Sequence, residues 1–99
     1  MNSSVILVTT VDIDPEAEVE FNEWYNRVHL PEVLACPGFI GCSRYEAVQG
    51  EPRYIAIYQL ESEDALHTPE MREVRGWGDM FPHVRNFHER VYRGIHQAP

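Results

Sequence analysis

The sequence predicts an α+β protein with the ferredoxin-like order β-α-β-β-α-β, a four-stranded antiparallel sheet with two helices on one face. Its 99 residues suffice for a single domain, residues 1–99. Hydrophobic residues make up 43% of the chain, which is typical of a globular protein rather than a disordered one. Runs of β-branched residues, helical apolar spacing and turn residues then give the order of the elements.

The first strand and the first helix are separated by a stop signal. Residues 5–11 are rich in β-branched residues and predict a strand. Asp14 suits a helix N-cap, and Pro15 suits the first helical position. One apolar helix face is predicted by the i, i+3, i+4, i+7 spacing of Phe21, Trp24, Tyr25 and Val28. Pro31 should kink or interrupt this helix.

Two further strands follow a turn. Pro37-Gly38 suits the centre of a type II turn. Residues 39–48 and 53–60 predict the second and third strands, and the Gly- and Pro-containing residues 49–52 between them predict a hairpin.

The second helical region is predicted in two pieces. Ser62 can cap a short segment that ends at Leu66, and Thr68 followed by Pro69 can start another helix. Gly76 can end that helix. Residues 77–82 predict an irregular aromatic loop, and residues 87–95 predict the fourth strand.

Two of the predicted strands are apolar on both faces. In the first, Ile6 and Val8 alternate with Leu7, and in the third, Ile55 and Ile57 alternate with large apolar residues. Two helices cover only one face of a sheet, so the other face needs a different cover. The sequence therefore predicts a homodimer in which the sheets of two copies pack face to face.

Charge and cysteine content exclude several classes of function. The net charge is −8, every basic residue is Arg, and no basic run occurs, so neither nucleic acid nor a membrane is an expected partner. Cys36 and Cys42 have neither zinc nor haem-attachment spacing and predict two reduced thiols. No positively charged region precedes the apolar residues 5–11, so a cytoplasmic location is expected.

The segment EFNEWYNRVHLPE at residues 20–32, followed by Pro-Gly-Phe at 37–39, resembles the dimeric α+β barrel superfamily and, within it, the EthD-like branch. The likeness continues through the residue pairs 53–54, 61–62, 82–83 and 92–93. It implies the fold and the dimer already expected. It also implies chemistry such as polyketide cyclisation, lactone isomerisation, dehydration, decarboxylation, quinol oxygenation or haem binding, in many cases without metal or cofactor.

Two motifs of the superfamily are not matched. One branch of cyclases carries His-Pro-x-His in the second helix, where this chain has Thr-Pro-Glu-Met at residues 68–71. Its catalytic assignment is therefore not carried over. The Asn, Trp and His of the haem-degrading monooxygenases have no counterpart at their spacing.

His29 is the first candidate catalytic residue. It follows Tyr25 by one turn, and Pro31 removes the hydrogen bond to the Arg27 carbonyl. We expect that carbonyl to accept from one imidazole nitrogen, so that the other faces a ligand as a general acid or base titrating near neutral pH. Alternatively, His29 only caps the helix. His83, beside the aromatic loop, is the second choice, with a surface role as the alternative.

Aromatic side chains predict a slot for a planar ligand, although most of them also suit the core. The candidate substrate-binding residues are Tyr25, Tyr45, Tyr54, Tyr58, Trp77 and Phe81. No histidine pair has metal-ligand spacing, so neither a metal nor a cofactor is expected.

The sequence thus favours a small cofactor-independent enzyme that performs proton transfer on an aromatic or polyketide-like molecule. Cyclisation, dehydration, isomerisation and decarboxylation all fit this description. A non-catalytic binding protein for an apolar ligand and a haem protein with His29 as axial ligand are the alternatives.

Overall fold

One antiparallel sheet organises the computed structural model, which describes residues 5–99. Its strands are β1 (Val5–Ile13), β2 (Phe39–Glu46), β3 (Tyr54–Leu60) and β4 (Val84–Arg93), in the order β2-β3-β1-β4. All neighbouring pairs are antiparallel, and the helices lie on one face. The predicted ferredoxin-like α+β fold is confirmed.

The first helical region begins at Pro15, as predicted, but continues past Pro31 without interruption. A 3₁₀ turn, Pro15–Ala17, precedes α1 (Glu18–Trp24), a π-helical segment (Tyr25–His29) and α2 (Leu30–Leu34). Backbone angles stay helical through Trp24, Tyr25, His29 and Leu30, so Pro31 does not interrupt the helix. Pro31 instead lies in the first turn of α2, where a missing N–H is tolerated.

The π-helical segment changes which residues are buried. The Leu30 N–H donates to the Tyr25 carbonyl five residues back, and this wider turn accommodates an additional residue. The predicted apolar face is therefore wrong at Val28, which is 45% exposed. Buried positions recur every four residues instead, at Phe21, Tyr25, His29 and Val33.

The predicted caps of the second helical region are confirmed. The Ser62 Oγ accepts from the Asp64 N–H at 3.2 Å and begins a 3₁₀ helix, Glu63–His67. The Thr68 Oγ1 accepts from the Met71 N–H at 3.0 Å and begins α3 (Pro69–Val74). The residues predicted as an irregular loop form a further 3₁₀ helix, Gly78–His83, and β4 follows it directly.

Asp14 behaves differently from the predicted cap, because its side chain accepts no capping hydrogen bond. Its carboxylate instead contacts His83 and Arg85 at the beginning of β4. The chain is thus tied across the sheet at the end of β1.

The turn at Gly38 allows the second helical region to pack closely against the backbone that precedes β2. Gly38 has φ +89°, as a type II turn requires at this position. A Cβ atom there would lie 2.6 Å from the Cβ of Ala65 in the 3₁₀ helix. Both the backbone angle and the contact therefore require glycine.

The two faces of the sheet differ as predicted. Along β1 and β3, residues with buried side chains alternate with half-buried ones such as Ile6, Val8, Ile55 and Ile57. The buried set contacts the helices and forms the core. In residues 5–99, no helix is long and apolar enough to cross a membrane.

Candidate active site

A cavity of about 430 Å³ lies between the core-facing side of the sheet and the helical layer. Its wall is mainly apolar and aromatic, and β1, β3, β4, the π-helical segment and α3 all contribute to it. The lining residues are Leu7, Thr9, Tyr25, His29, Val33, Tyr58, Met71, Arg75, Gly76, Trp77, Phe81, Phe87 and Glu89. A cavity of this size is in the range used for small organic ligands.

His29 is held in this wall by aromatic rings. Its ring stacks on Trp24, with centroids 4.8 Å apart and planes at 18°, and meets the edge of Tyr25 at 4.9 Å. Trp77 lies further away on the cavity side, at 6.4 Å and 25°. The π-helical segment produces this placement, because a regular α-helix would turn Val28 rather than His29 toward the core.

The ring nitrogens of His29 are available to a ligand. His29 makes no hydrogen bond to any residue in the range 5–99, so the expected bond to the Arg27 carbonyl does not form. Among these residues, no fully buried side-chain nitrogen or oxygen lacks a partner. The unbonded nitrogens of His29 are therefore not fully buried, although the residue as a whole is only 8% exposed.

His29 is uncharged at neutral pH. Burial and, as a smaller contribution, the nearby Arg44 guanidinium together lower the pKa of its imidazole to about 4. The titration near neutral pH expected from the sequence is therefore corrected downward. A neutral imidazole can accept a proton at one nitrogen and donate from the other, and no partner within the described part of the chain, residues 5–99, fixes its tautomer.

Two tyrosines place polar hydroxyl groups in the otherwise mainly apolar wall of the cavity. The hydroxyls of Tyr25 and Tyr58 are hydrogen-bonded to each other, and both side chains are buried. Burial raises the pKa of both phenols, most strongly for Tyr58, so both keep their protons at neutral pH. One hydroxyl donates to the other, so the accepting hydroxyl keeps a proton that it can donate to a ligand oxygen.

The rim of the cavity combines aromatic rings with one ion pair. Trp77 meets Phe87 edge to face at 5.1 Å, and Phe81 is 71% exposed at the mouth. An Arg75 guanidinium nitrogen lies 3.3 Å from the Glu89 carboxylate. This pair leaves the rim with little net charge.

Three of the predicted residues lie elsewhere. Tyr45 and Tyr54 line a second, polar pocket of about 380 Å³ beside β2, and the Tyr54 hydroxyl donates to the Glu18 carboxylate. His83 lies at the end of its 3₁₀ helix, where its Nδ1 is 3.3 Å from an Asp14 carboxylate oxygen. The structure thus brings His29, Tyr25, Tyr58, Trp77 and Phe81 together and leaves Tyr45, Tyr54 and His83 outside the cavity.

Asp14, Glu16 and His83 are close enough to be considered as metal ligands, since one ligand atom from each lies within 4.8 Å of the others. The Arg85 guanidinium is 3.3 Å from the same Asp14 oxygen that His83 contacts. This cation already neutralises the carboxylate and would repel a metal ion. The cluster is therefore better explained as a structural ion pair.

Sequence reasoning did not select Thr9, Met71, Arg75, Phe87 and Glu89 for the site. Period-two alternation along β1 and β4 would have placed Thr9, Phe87 and Glu89 on the helix-facing side of the sheet. Their meeting with Met71 and Arg75 depends on how the second helical region packs, which no local pattern encodes.

Solved structures share this fold at low identity. The haem degrader MhuD from Mycobacterium tuberculosis, with two haems bound, is 19% identical with TM-score 0.73, covering 96% of this chain and 99% of its own. SnoaB, a cofactor-independent oxygenase from Streptomyces nogalater, is 17% identical with TM-score 0.74 and 97% coverage of both chains. A Bacillus halodurans protein of the ethyl tert-butyl ether degradation (EthD) family is 16% identical with TM-score 0.64, covering 95% and 99%.

These neighbours share the ferredoxin-like α+β fold predicted from the sequence, and the EthD-family protein is one neighbour among several. No curated protein matches the chain. A family model described as a domain of unknown function, DUF4286, matches residues 4–90. The protein therefore belongs to the DUF4286 family.

Proposed function

We propose that this protein is a small enzyme that transfers a proton on an aromatic or polyketide-like molecule bound in the cavity, with no cofactor. The observation that carries this proposal is the uncharged His29, which has no hydrogen bond within residues 5–99 and faces an apolar cavity containing the Tyr25–Tyr58 pair. Groups that can give and take protons in a buried site are the requirement for such chemistry.

A flat ligand would lie against the Trp77 ring, which forms one side of the cavity. Its oxygen would accept a hydrogen bond from the tyrosine hydroxyl whose proton is not used within the Tyr25–Tyr58 pair, while His29 removes or returns a proton next to the carbonyl. The product of proton removal is an enolate, whose charge this hydroxyl donor stabilises. Cyclisation, dehydration, isomerisation and decarboxylation can all proceed from an enolate. The oxygenase name of SnoaB adds reaction with dioxygen to these possibilities.

Enolisation of benzoylacetone, an aromatic β-dicarbonyl compound, tests the proposal. The protein should accelerate exchange of its central C–H protons with D₂O, measured by NMR. His29→Ala should slow this exchange by roughly 10²–10⁴-fold, with much less effect on the dissociation constant. Val28→Ala, on the exposed side of the same turn, is the control. Exchange at the wild-type rate in folded His29→Ala protein would contradict a catalytic role.

The same preparations separate the alternatives. A non-catalytic binding protein would bind benzoylacetone or 2-naphthol without accelerating exchange. For haem, a neutral His29 could act as an axial ligand, but the two propionates would need cations at the rim. There, Arg75 is already paired with Glu89. The residues therefore fit an aromatic ligand of low charge better than haem, and haem titration without a His29-dependent Soret shift is expected.

We also propose that the protein is a homodimer. The sheet face away from the helices carries Ile6, Val8, Ile55 and Ile57, and in the single chain these residues are only half-buried. Covering this face with a second sheet would remove their apolar area from water. A cytoplasmic location remains an expectation, compatible with the unpaired Cys36 and Cys42.

Val8→Asp tests the dimer, because a charge buried between two apolar sheets has no partner. Light scattering at micromolar concentration should give a dimer mass for the wild type and a monomer or unfolded protein for the variant. Val19→Asp places the same charge on an 81% exposed helix position and should leave the dimer intact. A monomer mass for the wild type would contradict this proposal.

A further inference from the structure

Arg44 is a half-buried cation with no carboxylate partner among residues 5–99. Its two terminal nitrogens donate to the neutral side-chain oxygens of Asn22 and Asn26, each at 2.8 Å. The neighbouring carboxylates of Glu18 and Glu46 are both engaged by Arg53, at 2.8 and 3.0 Å. The charge of Arg44 is therefore not cancelled locally.

The guanidinium of Arg44 lies behind the aromatic wall of the cavity, against the Tyr25 ring. Its central carbon is 4.2 Å from the Tyr25 ring centroid, with Phe21 and Tyr54 at 5.5 and 5.7 Å. Tyr25 lines the cavity, whereas Arg44 lies outside its wall. The Tyr25 ring thus separates the cation from any ligand that contacts the Tyr25–Tyr58 hydroxyls. Because Tyr25 is buried, the charge acts through protein, which screens it less than water does.

Other ionisable groups at this end of the cavity are uncharged at neutral pH. Tyr25 and Tyr58 have raised pKa values, burial raises the pKa of Cys42 to about 11, and burial keeps His29 neutral. At the far rim, Arg75 and Glu89 compensate each other. Arg44 therefore dominates the local potential, and it lowers the pKa of His29, as a positive field must.

We propose that Arg44 makes the Tyr25–Tyr58 end of the cavity selective for a ligand oxygen that carries negative charge, an enolate or a phenolate. This inference rests on the proposed function, since it assumes that the cavity binds a ligand of that class. On ionisation, the ligand's C–H or O–H bond breaks and its electron pair stays on the ligand. The proton of a C–H bond passes to His29 and from there to solvent, and the proton of an O–H bond passes to solvent. Arg44 is thus a positioning residue for charge, acting through Tyr25 without touching the ligand.

A purely structural role for Arg44 would give a different result. If Arg44 only packs against the aromatic rings, its replacement would change stability and overall affinity but not the preference for the ionised ligand. The ionisation constant of a bound, coloured acid is therefore the measurement that separates the two roles.

The experiment is an ultraviolet titration of benzoylacetone bound to the wild type, Arg44→Met, Arg44→Lys and the control Arg27→Met. The wild type should hold the pKa of bound benzoylacetone at or below its value in water. Arg44→Met should raise that pKa by about one unit or more, a tenfold change in ionisation. Arg44→Lys should retain most of the effect. Arg27→Met should match the wild type, because Arg27 is exposed and its removal leaves Glu18 and Glu46 paired with Arg53.

NMR titration of His29 gives a second, ligand-free measurement. Its pKa should rise in Arg44→Met and remain low in Arg44→Lys and in the control Arg27→Met. Equal bound-ligand pKa values in folded wild-type and Arg44→Met protein would overturn the inference. If Arg44→Met does not fold, a wild-type bound pKa above the value in water overturns it equally.

The two proposals fail in different ways. If neither benzoylacetone nor 2-naphthol binds to any variant, the proposed function fails, and with it the ligand selectivity inferred for Arg44. A second outcome is that both compounds bind and that exchange depends on His29. If the pKa of bound benzoylacetone is then the same in the wild type and in Arg44→Met, only the role of Arg44 is overturned.

Discussion

The ring of Tyr25 separates two pockets of similar size and opposite character. On one side lies the apolar cavity of about 430 Å³ with the uncharged His29, and on the other the polar pocket of about 380 Å³ that Arg44 lines. One helical region serves both, because Tyr25 and His29 lie on its buried side while Asn22 and Asn26 lie toward β2. The Arg44 charge can thus act on the apolar cavity from the neighbouring polar pocket, without being buried with the ligand.

The difference between the pockets arises from the strands beneath them. β1 and β3 are central in the sheet and supply the buried residues Leu7, Thr9 and Tyr58 to the cavity, whereas Arg44 lies on β2, an edge strand. An edge position keeps part of the Arg44 side chain in water, so its desolvation cost is smaller than it would be in the core. The Arg44 charge thus lies at the edge of the sheet, where its desolvation cost is small, and acts on the cavity over the central strands, where a buried charge would cost more.

The largest expected effect is the loss of stability when Phe21, which packs against the Tyr25 ring between the two pockets, is replaced. Phe21 is fully buried, and its ring contacts Tyr25, Tyr54 and Trp77 at centroid distances of 5.5, 5.7 and 5.9 Å. Phe21→Ala should lower the free energy of unfolding by about 3–5 kcal/mol, because it leaves a cavity behind the wall. Urea denaturation measures this change. Val28→Ala should stay within about 0.5 kcal/mol, and a similar small loss for Phe21→Ala would contradict the role of Phe21.

A second prediction uses the neutral state of His29. Its folded-state pKa of about 4 lies below the value of about 6.5 in the unfolded chain, so the unfolded state binds more protons between these values. Stability should therefore fall as the pH is lowered through this window, by up to about 3 kcal/mol from this group. His29→Gln should lose this part of the pH dependence. Parallel stability curves for the two proteins, at one protein concentration, would show that His29 titrates normally.

The smallest expected effect on stability is at Phe81, and its replacement tests whether the ligand reaches the mouth of the cavity. Phe81 is mostly exposed yet lines the cavity, so Phe81→Ala should change the free energy of unfolding by less than about 0.5 kcal/mol. The dissociation constant of 2-naphthol, followed by tryptophan fluorescence, should rise by about tenfold or less, because some apolar contact is lost. Ile95→Ala, at another exposed apolar residue, should leave the constant unchanged. Equal binding by both variants would place the ligand away from the mouth.

Local chemistry made much of the fold predictable from the sequence. The caps at Ser62 and Thr68 and the turn at Gly38 depend on side chains or backbone angles a few residues apart, and each forms as expected. Alternation along β1 and β3 assigned both faces of the sheet correctly, because side-chain direction in a strand has a fixed period of two.

The candidate site was less predictable because it depends on contacts distant in sequence. His29 was selected for its place beside Pro31, but a straight helix would bury Val28, and only the π-helical segment accounts for the observed register. Tyr45 and Tyr54 resemble Tyr25 and Tyr58 in residue type alone. Their assignment to the other pocket follows from the sheet register and from the pairing of Tyr54 with Glu18.

The π-helical segment also matters for any alignment of this chain with other proteins. A five-residue turn in an otherwise α-helical stretch holds one residue more than the regular turn, so it is equivalent to an insertion that leaves both flanking segments in place. A homologue with an unbroken α-helix would need a one-residue gap between Tyr25 and His29. Without that gap, a side chain equivalent in space to His29 would be aligned with Val28, and conservation of the site would be missed.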